Sequence, residues 1–257
     1  MAAPIGETRV RSQLLGSPID VVSMKQAVAT AADAIRRRET CQHVSLNAAK
    51  LVKIQHDDIL RDAVAGCQLI TADGQSVVWA GKLLGCPLPE RVAGIDLMHE
   101  LLAAAENEGH RVFLLGARQH VLERAEAAIH QLHPRVQVVG RHHGYFSLED
   151  EPDVVALIAA TEPQLLFVAL ETPAKELFLA RHRERLGVPF VMGVGGSFDV
   201  LAGVRRRAPR AFRRLGLEWL YRLMQDPRRL ARRYVVGNTQ FILLVARERA
   251  RLARTRA

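Results

Sequence analysis

The chain alternates short apolar runs, rich in β-branched residues, with longer stretches whose apolar positions recur every three or four residues. The short runs are "PIDVVS", "CQHVSLN", "CQLITAD", "RVFLLGA", "RVQVVG", "QLLFVAL" and "VPFVMGVG". The longer period is carried by "MKQAVATAADAIRRR", "AAKLVKIQHDDILRDAVAG", "GQSVVWAGKLLG", "GIDLMHELLAAAENEG", "RQHVLERAEAAIHQLHP", "EPDVVALIAATEP" and "PAKELFLARHRERLG". The former predict strands and the latter amphipathic helices. Near-continuous apolar strands separated by helices predict an α/β fold, a largely parallel Rossmann-like sheet covered by helices on both faces. After "DVLAGVRRRAP" the alternation stops, and the remainder reads as helical with Pro227 as punctuation. The expected organisation is an α/β body over 1–203 and a helical C-terminal appendage over 204–257.

Ligands of such sheets bind at the carboxyl ends of the strands. Polar and glycine-rich residues fall at those predicted ends: Ser45 and Asn47, Asp73 and Gly74, Gly116, and 193–199. Asp73 sits in "LITADGQSVVWAGKLLG", where a strand hands over to a helix. It is either a helix cap or a carboxylate able to accept a proton from a substrate hydroxyl, and position alone leaves both open. In "GVGGSFDVLAG", Gly195 and Gly196 permit close backbone approach and an anion-binding concavity, or simply a tight turn. The segment matches neither a dinucleotide fingerprint nor a phosphate-binding loop with its lysine. In "RVAGIDL", Asp96 is a helix-start residue, and Arg91 would pair with it or reach a phosphate. The ten histidines lack metal-ligand spacing, "RHHGYF" reads as a polar loop, and no metal site is expected. No serine occupies a G-x-S-x-G elbow, which disfavours nucleophilic hydrolysis.

Charge sharpens this picture more than size does. The 257 residues are 49% hydrophobic and 25% charged, as in an ordinary globular protein. Cys41, Cys67 and Cys86 have no paired or metal-ligand spacing, and read as reduced, small apolar residues in a reducing compartment. No basic segment followed by an apolar run opens the chain, and "FILLVA" is far short of the ~20 residues a spanning helix needs. Residues 204–257 hold sixteen arginines, no lysine and three acids, a net +13 that leaves −4 for the other 203. Such asymmetry points to a polyanion: nucleic acid, anionic headgroups or a diphosphate. The tail is thus a solvated face, a nucleic-acid surface with few interleaved aromatics, or a flap at a membrane, where "LEWLYRLM" sets apolar and aromatic side chains beside cations.

In order along the chain, "SLNAAKL", "TADGQSVVWAGKLLG", "RVAGIDL", "FLLGA", "GYF", "GVGGSFDVLAGVRRRAP" and "GLEWLYRLMQDPRRLARRY" resemble the WecG/TagA/CpsF family of bacterial glycosyltransferases, glycosyltransferase family 26. The resemblance implies a hexosyltransferase that moves a sugar from a UDP-sugar donor to a polyprenyl-diphosphate-linked saccharide in cell-envelope or exopolysaccharide synthesis. It implies inversion at the anomeric carbon, no metal or other cofactor, and a cytoplasmic protein peripheral on the inner face of the plasma membrane. A homo-oligomer is compatible with it, and nucleic acid is not expected. On the matching positions, Asp73 of the A-D-G motif is the general base, with Gly74 beside it. Ser45 and Asn47 line the pocket, Arg91 lies near the acceptor, and Asp199 follows the glycine-rich turn. Arg222, Arg229, Arg232 and Arg233 belong to the appendage that closes over the site and holds the diphosphate.

One segment departs from the family's pattern. Where the family reads G-L-G-x-P-K-Q-E, this chain has "ALETPAKE", with Ala169 and Glu171 for the glycines and Lys175 for the glutamine. Glu171 would repel the donor's diphosphate and Lys175 attract it. Two other readings accompany the transferase: a basic nucleic-acid-binding α/β protein, and an inactive family member acting as a partner in a polysaccharide assembly complex.

Overall fold

The computed structural model describes residues 9–214 and 216–256, with the side chains of 214, 229–233 and 256 outside that description. The described chain opens on a hairpin, β1 (Arg11–Leu14) and β2 (Ser17–Asp20), joined through Leu15 and Gly16, both at positive φ. Two central residues at positive φ are what a tight hairpin turn requires. Only the second strand was expected from the pattern. The first is short and carries arginine, whose guanidinium binds Asp20 at 2.8 Å. Asp20 in turn accepts the backbone N–H of Ile70 at 2.8 Å, tying the hairpin to the sheet.

Helix α1 (Met24–Arg37) begins at a Ser23–Gln26 capping box and leads to β3 (Cys41–Leu46). The single helix expected from "AAKLVKIQHDDILRDAVAG" is in fact two, α2 (Ala48–Lys53) and α3 (Asp58–Ala65). The break has a local cause. Asp57 turns its side chain onto the N–H of Leu60 and caps a new helix rather than continuing the old one. Then follow β4 (Leu69–Ala72), α4 (Gln75–Leu84), α5 (Gly94–Glu108), β5 (Arg111–Gly116), α6 (Gln119–Leu132) and β6 (Gln137–His142). The body continues with α7 (Glu151–Ala160), β7 (Leu165–Ala169), α8 (Ala174–Leu186), β8 (Phe190–Gly193) and the short α9 (Ser197–Leu201). Three further helices complete the chain: α10 (Arg210–Arg214), α11 (Glu218–Gln225) and α12 (Pro227–Arg256), the last starting at the expected proline.

Among the described residues six strands form one sheet in the order β4-β3-β8-β7-β5-β6, all neighbours parallel. The fold is the expected α/β architecture with a helical C-terminus. Central strands are buried on both faces: Phe113, Leu114, Phe167 and Phe190 are all fully enclosed. This is why they read as continuous apolar runs rather than alternating ones. The three cysteines are free and buried, as expected of small apolar residues.

The last helix does not simply project from the body. It packs on α2 and α4, and Phe241 and Val245 enter the same core cluster as Leu14, Leu46, Leu51 and Ile54. On the far side of α12, Val235, Val236, Ile242 and Leu243 are exposed, as are Trp79 and Leu83 of α4 and Trp219 and Met224 of α11. No described helix is long and apolar enough to cross a membrane.

Candidate active site

Parallel strands that end on one side of a sheet bring distant residues together there. At the ends of β4, β3 and β8 a cavity of about 590 Å³ is lined by Asp73, Ser45, Asn47, Gly94 and residues 193–197. Its far wall comes from the end of the chain: Arg205, Arg206, Arg207, Glu218, Arg222 and Asp226. A wider cavity of about 1010 Å³ adjoins it toward β7, β5 and β6, and takes in Arg118, Tyr145, Glu171 and Asp199. Asn47, Lys50, Thr172, Lys175, Gly195 and Gly196 line both.

Asp73 follows directly on β4, whose pairing with β3 continues in a bond from the Asp73 N–H to the Leu46 carbonyl at 2.7 Å. It is not a helix cap. Gly74, at φ +138°, occupies the cap position of α4, and no side chain caps that helix. The carboxylate is thereby left to the cavity. Burial pushes its pKa up, and Arg222 and Arg91 oppose that push. Glu218 adds to it, while the Gly94 N–H donates to the carboxylate and opposes it. Asn47, by contrast, is itself a cap: its side chain accepts the N–H of Lys50 and starts α2.

The acids and arginines form two ionic clasps between body and appendage. Arg91 turns away from Asp96 and reaches Glu218 at 3.1 Å. Arg222 binds the other Glu218 oxygen at 2.6 Å. Burial works to raise the Glu218 pKa, yet the two guanidinium groups outweigh it and hold the carboxyl below its ordinary range. Asp96, in the first turn of α5, is taken by Arg207 and lies 3.9 Å from Arg213. Of the two readings of Arg91, the pair with Asp96 is not made; both residues instead pair with groups from the other end of the chain.

Beneath the cavities lies a buried cluster. Lys50 Nζ meets Glu176 Oε1 at 2.8 Å and donates to the Ser45 carbonyl at 3.0 Å. Lys175 Nζ lies 3.3 Å from the same carboxylate oxygen, which also accepts the Thr172 hydroxyl at 3.2 Å. Burial, then the neighbouring Lys50, lowers the Lys175 pKa to about 8, with Glu176 pulling the other way. The lysine stem crosses over Gly193, where a Cβ would come within 2.5 Å of Lys175 Cε.

Of the residues singled out in the sequence, Asp73, Ser45, Asn47, Lys175, Gly195, Gly196 and Arg222 line the narrower cavity. Asp199 lines the wider one, and its backbone carbonyl accepts the N–H groups of Val204 and Arg205. Gly74, Arg91 and Asp96 do not line either cavity: Gly74 holds the cap position of α4, and Arg91 and Asp96 make the clasps. Arg229, Arg232 and Arg233 lie outside the described side chains. Sequence reasoning missed Lys50, Glu218 and the 205–207 run. Each left a signal: a lysine inside "SLNAAKL", one of only three acids among sixteen arginines, and three arginines in a row.

The description "Glycosyl transferase WecG/TagA/CpsF family" matches residues 12–255. The chain is similar to the N-acetylglucosaminyldiphosphoundecaprenol N-acetyl-beta-D-mannosaminyltransferases of Staphylococcus aureus strains MW2 and NCTC 8325 / PS 47. Each is 42% identical over 163 residues, which span 63% of this chain and 63% of the relative. The matched segment is thus just under two thirds of those relatives' own length. With the family's match running almost from end to end of the described chain, this protein belongs to the WecG/TagA/CpsF family of glycosyltransferases.

Proposed function

We propose that the protein transfers a hexose from a UDP-sugar donor to a polyprenyl-diphosphate-linked saccharide, inverting the anomeric centre, in cell-envelope or exopolysaccharide synthesis. The observation that carries this reading is Asp73, free of helix capping and facing a cavity whose far wall brings four arginines together with Glu218 and Asp226. The Staphylococcus relatives are named for an acceptor and a reaction of this kind. Asp73 takes the proton of the acceptor hydroxyl as that oxygen forms its bond to the anomeric carbon. The bond from that carbon to the diphosphate oxygen breaks on the opposite face, and UDP leaves with the electron pair. Asp73 supplies base catalysis, and the negative charge growing on the leaving diphosphate needs fixed cations. Arg205, Arg206, Arg207 and Arg222 supply them, as planar donors that stay ionised and grip phosphate oxygens two at a time. The wider cavity has room for the nucleoside.

The acceptor lipid sits in a bilayer, so the site must reach one. The exposed Trp79, Trp219, Ile242 and Leu243, set among the arginines of 204–257, suit headgroup depth and make the protein peripheral on the cytoplasmic face. Residues 204–257 then form an appendage with two tasks, docking and completing the pocket. The test is transfer of labelled sugar from UDP-sugars to polyprenyl-diphosphate-linked N-acetylglucosamine. Asp73→Asn is expected to cut the rate about 10²–10⁴-fold. An unchanged rate would remove Asp73 as the base.

A further inference from the structure

Glu218 stands where its charge is a disadvantage. It is one of three acids among the sixteen arginines of 204–257, and it lines the narrower cavity beside Arg205, Arg206, Arg207, Arg222 and Asp226. A carboxylate there repels a diphosphate and adds to the upward push on the Asp73 pKa. A wall built only to hold phosphate would be stronger without it.

Its contacts give it a different task. Oε2 accepts from Arg91 Nη1 at 3.1 Å, and Oε1 accepts from Arg222 Nη2 at 2.6 Å. The Arg91 end is the fixed one. The residue before it, Glu90, accepts the Met24 N–H at 2.7 Å, and the residue after it, Val92, donates to the Ala72 carbonyl at 2.9 Å. Ala72 is the last residue of β4 and directly precedes Asp73. Arg91 and Glu218 have side chains 15% and 13% exposed, whereas that of Arg222 is 56% exposed. A long guanidinium side chain in open space has many rotamers, and a glutamate four residues earlier on the same helix restricts them. Glu218 takes one nitrogen of Arg222 and leaves the rest of the guanidinium to the cavity it lines.

We propose that Glu218 is a positioning residue of the transfer reaction: anchored through Arg91 to the end of β4, it holds the Arg222 guanidinium in the orientation that meets the substrate's phosphate beside Asp73. This rests on the transferase reading above. Base and cation are thereby registered to one strand, although they come from opposite ends of the chain.

The test is transfer of labelled sugar to polyprenyl-diphosphate-linked N-acetylglucosamine by the full chain, with Glu218→Gln, Arg222→Gln and the double variant beside the wild type. Misplacing a group by about 1 Å costs on the order of 10²-fold in rate, so Glu218→Gln is expected to lose roughly ten- to a hundredfold in kcat, with a smaller change in the donor KM. Because it acts through Arg222, the double variant is expected to match Arg222→Gln in kcat. Losses that multiply in the double variant overturn the inference and leave the transferase reading standing. The pH profile separates position from charge. Asp73 is faced by Arg222 and Arg91, which favour its ionised form, by Glu218, which disfavours it, and by the Gly94 N–H, which favours it. Arg222 outweighs Glu218 in that balance, so a loss of Arg222's placement moves the acid limb of Glu218→Gln to higher pH. A limb that moves to lower pH means that Arg222 keeps its place without Glu218, and overturns the proposal. Where Glu218→Gln is too unstable to assay, Arg222→Lys decides: it keeps the charge, gives up the planar fork and is expected to lose turnover likewise. Full activity in Arg222→Lys overturns the proposal, since a point charge would then suffice. A wild type that moves no sugar overturns the transferase reading and this inference with it.

Discussion

Asp73 is a carboxylate that the fold holds in a place unfavourable to its charge. Its pKa is raised above the unfolded value, so the native state keeps the proton more tightly, and stability falls as pH rises through the interval between the two values. At neutral pH the ionised group therefore works against folding. Asp73→Asn is expected to melt at or above the wild-type temperature near pH 7, with the gain vanishing toward pH 3, while activity is lost. Scanning calorimetry across that range checks it. With Asp73 as the proposed base, the same raised pKa is expected to set the acid limb of the pH–rate profile, because a base acts only when deprotonated. Arg222 opposes the rise, so Arg222→Gln is expected to move the acid limb to higher pH as well as to weaken turnover. A limb that stays put would detach Arg222 from Asp73. At this scale the sequence was informative about Asp73 and Asn47, which sit where strands end. It was silent about Glu218, because the pair with Arg91 joins residues 127 apart and no local pattern carries such a contact.

Helices and strands were legible wherever burial was simple. The core strands are enclosed on both faces and announce themselves as apolar runs. β1 escaped notice because its outward positions are polar and its partner is a two-stranded hairpin outside the main sheet. The break between α2 and α3 escaped because helical periodicity continues through it while one aspartate caps a new start. Helix α12 was legible as a helix, yet its attachment was not: one aromatic and one valine, Phe241 and Val245, fasten it to the body among many arginines. Removing the Phe241 side chain leaves a void in the core cluster it shares with Leu51 and Ile54. Phe241→Ala is expected to lower stability by about 3–5 kcal/mol, read from the urea midpoint.

Over the whole molecule, the division of charge between an acidic body and a strongly basic end was plain from the sequence, and the clasps explain what part of it does. Arg207 meets Asp96 and Arg222 meets Glu218, while Arg247, Arg249 and Arg254 lie on the exposed surface. The protein is expected to sediment with vesicles containing anionic lipid and not with purely zwitterionic ones. Binding should weaken steeply as salt shortens the Debye length from ~10 Å at 0.1 M toward ~3 Å at 1 M. Salt-independent retention would point to the exposed tryptophans and leucines as the dominant contact. The opposite sides of the cavity come from residues translated far apart: the carboxylate at position 73, and the arginines after position 204. A polypeptide still emerging from the ribosome therefore presents a sheet and a carboxylate but not the far wall of the cavity. The order of synthesis is thus built into the site: the pocket closes around its carboxylate only once the arginines after position 204 have been made.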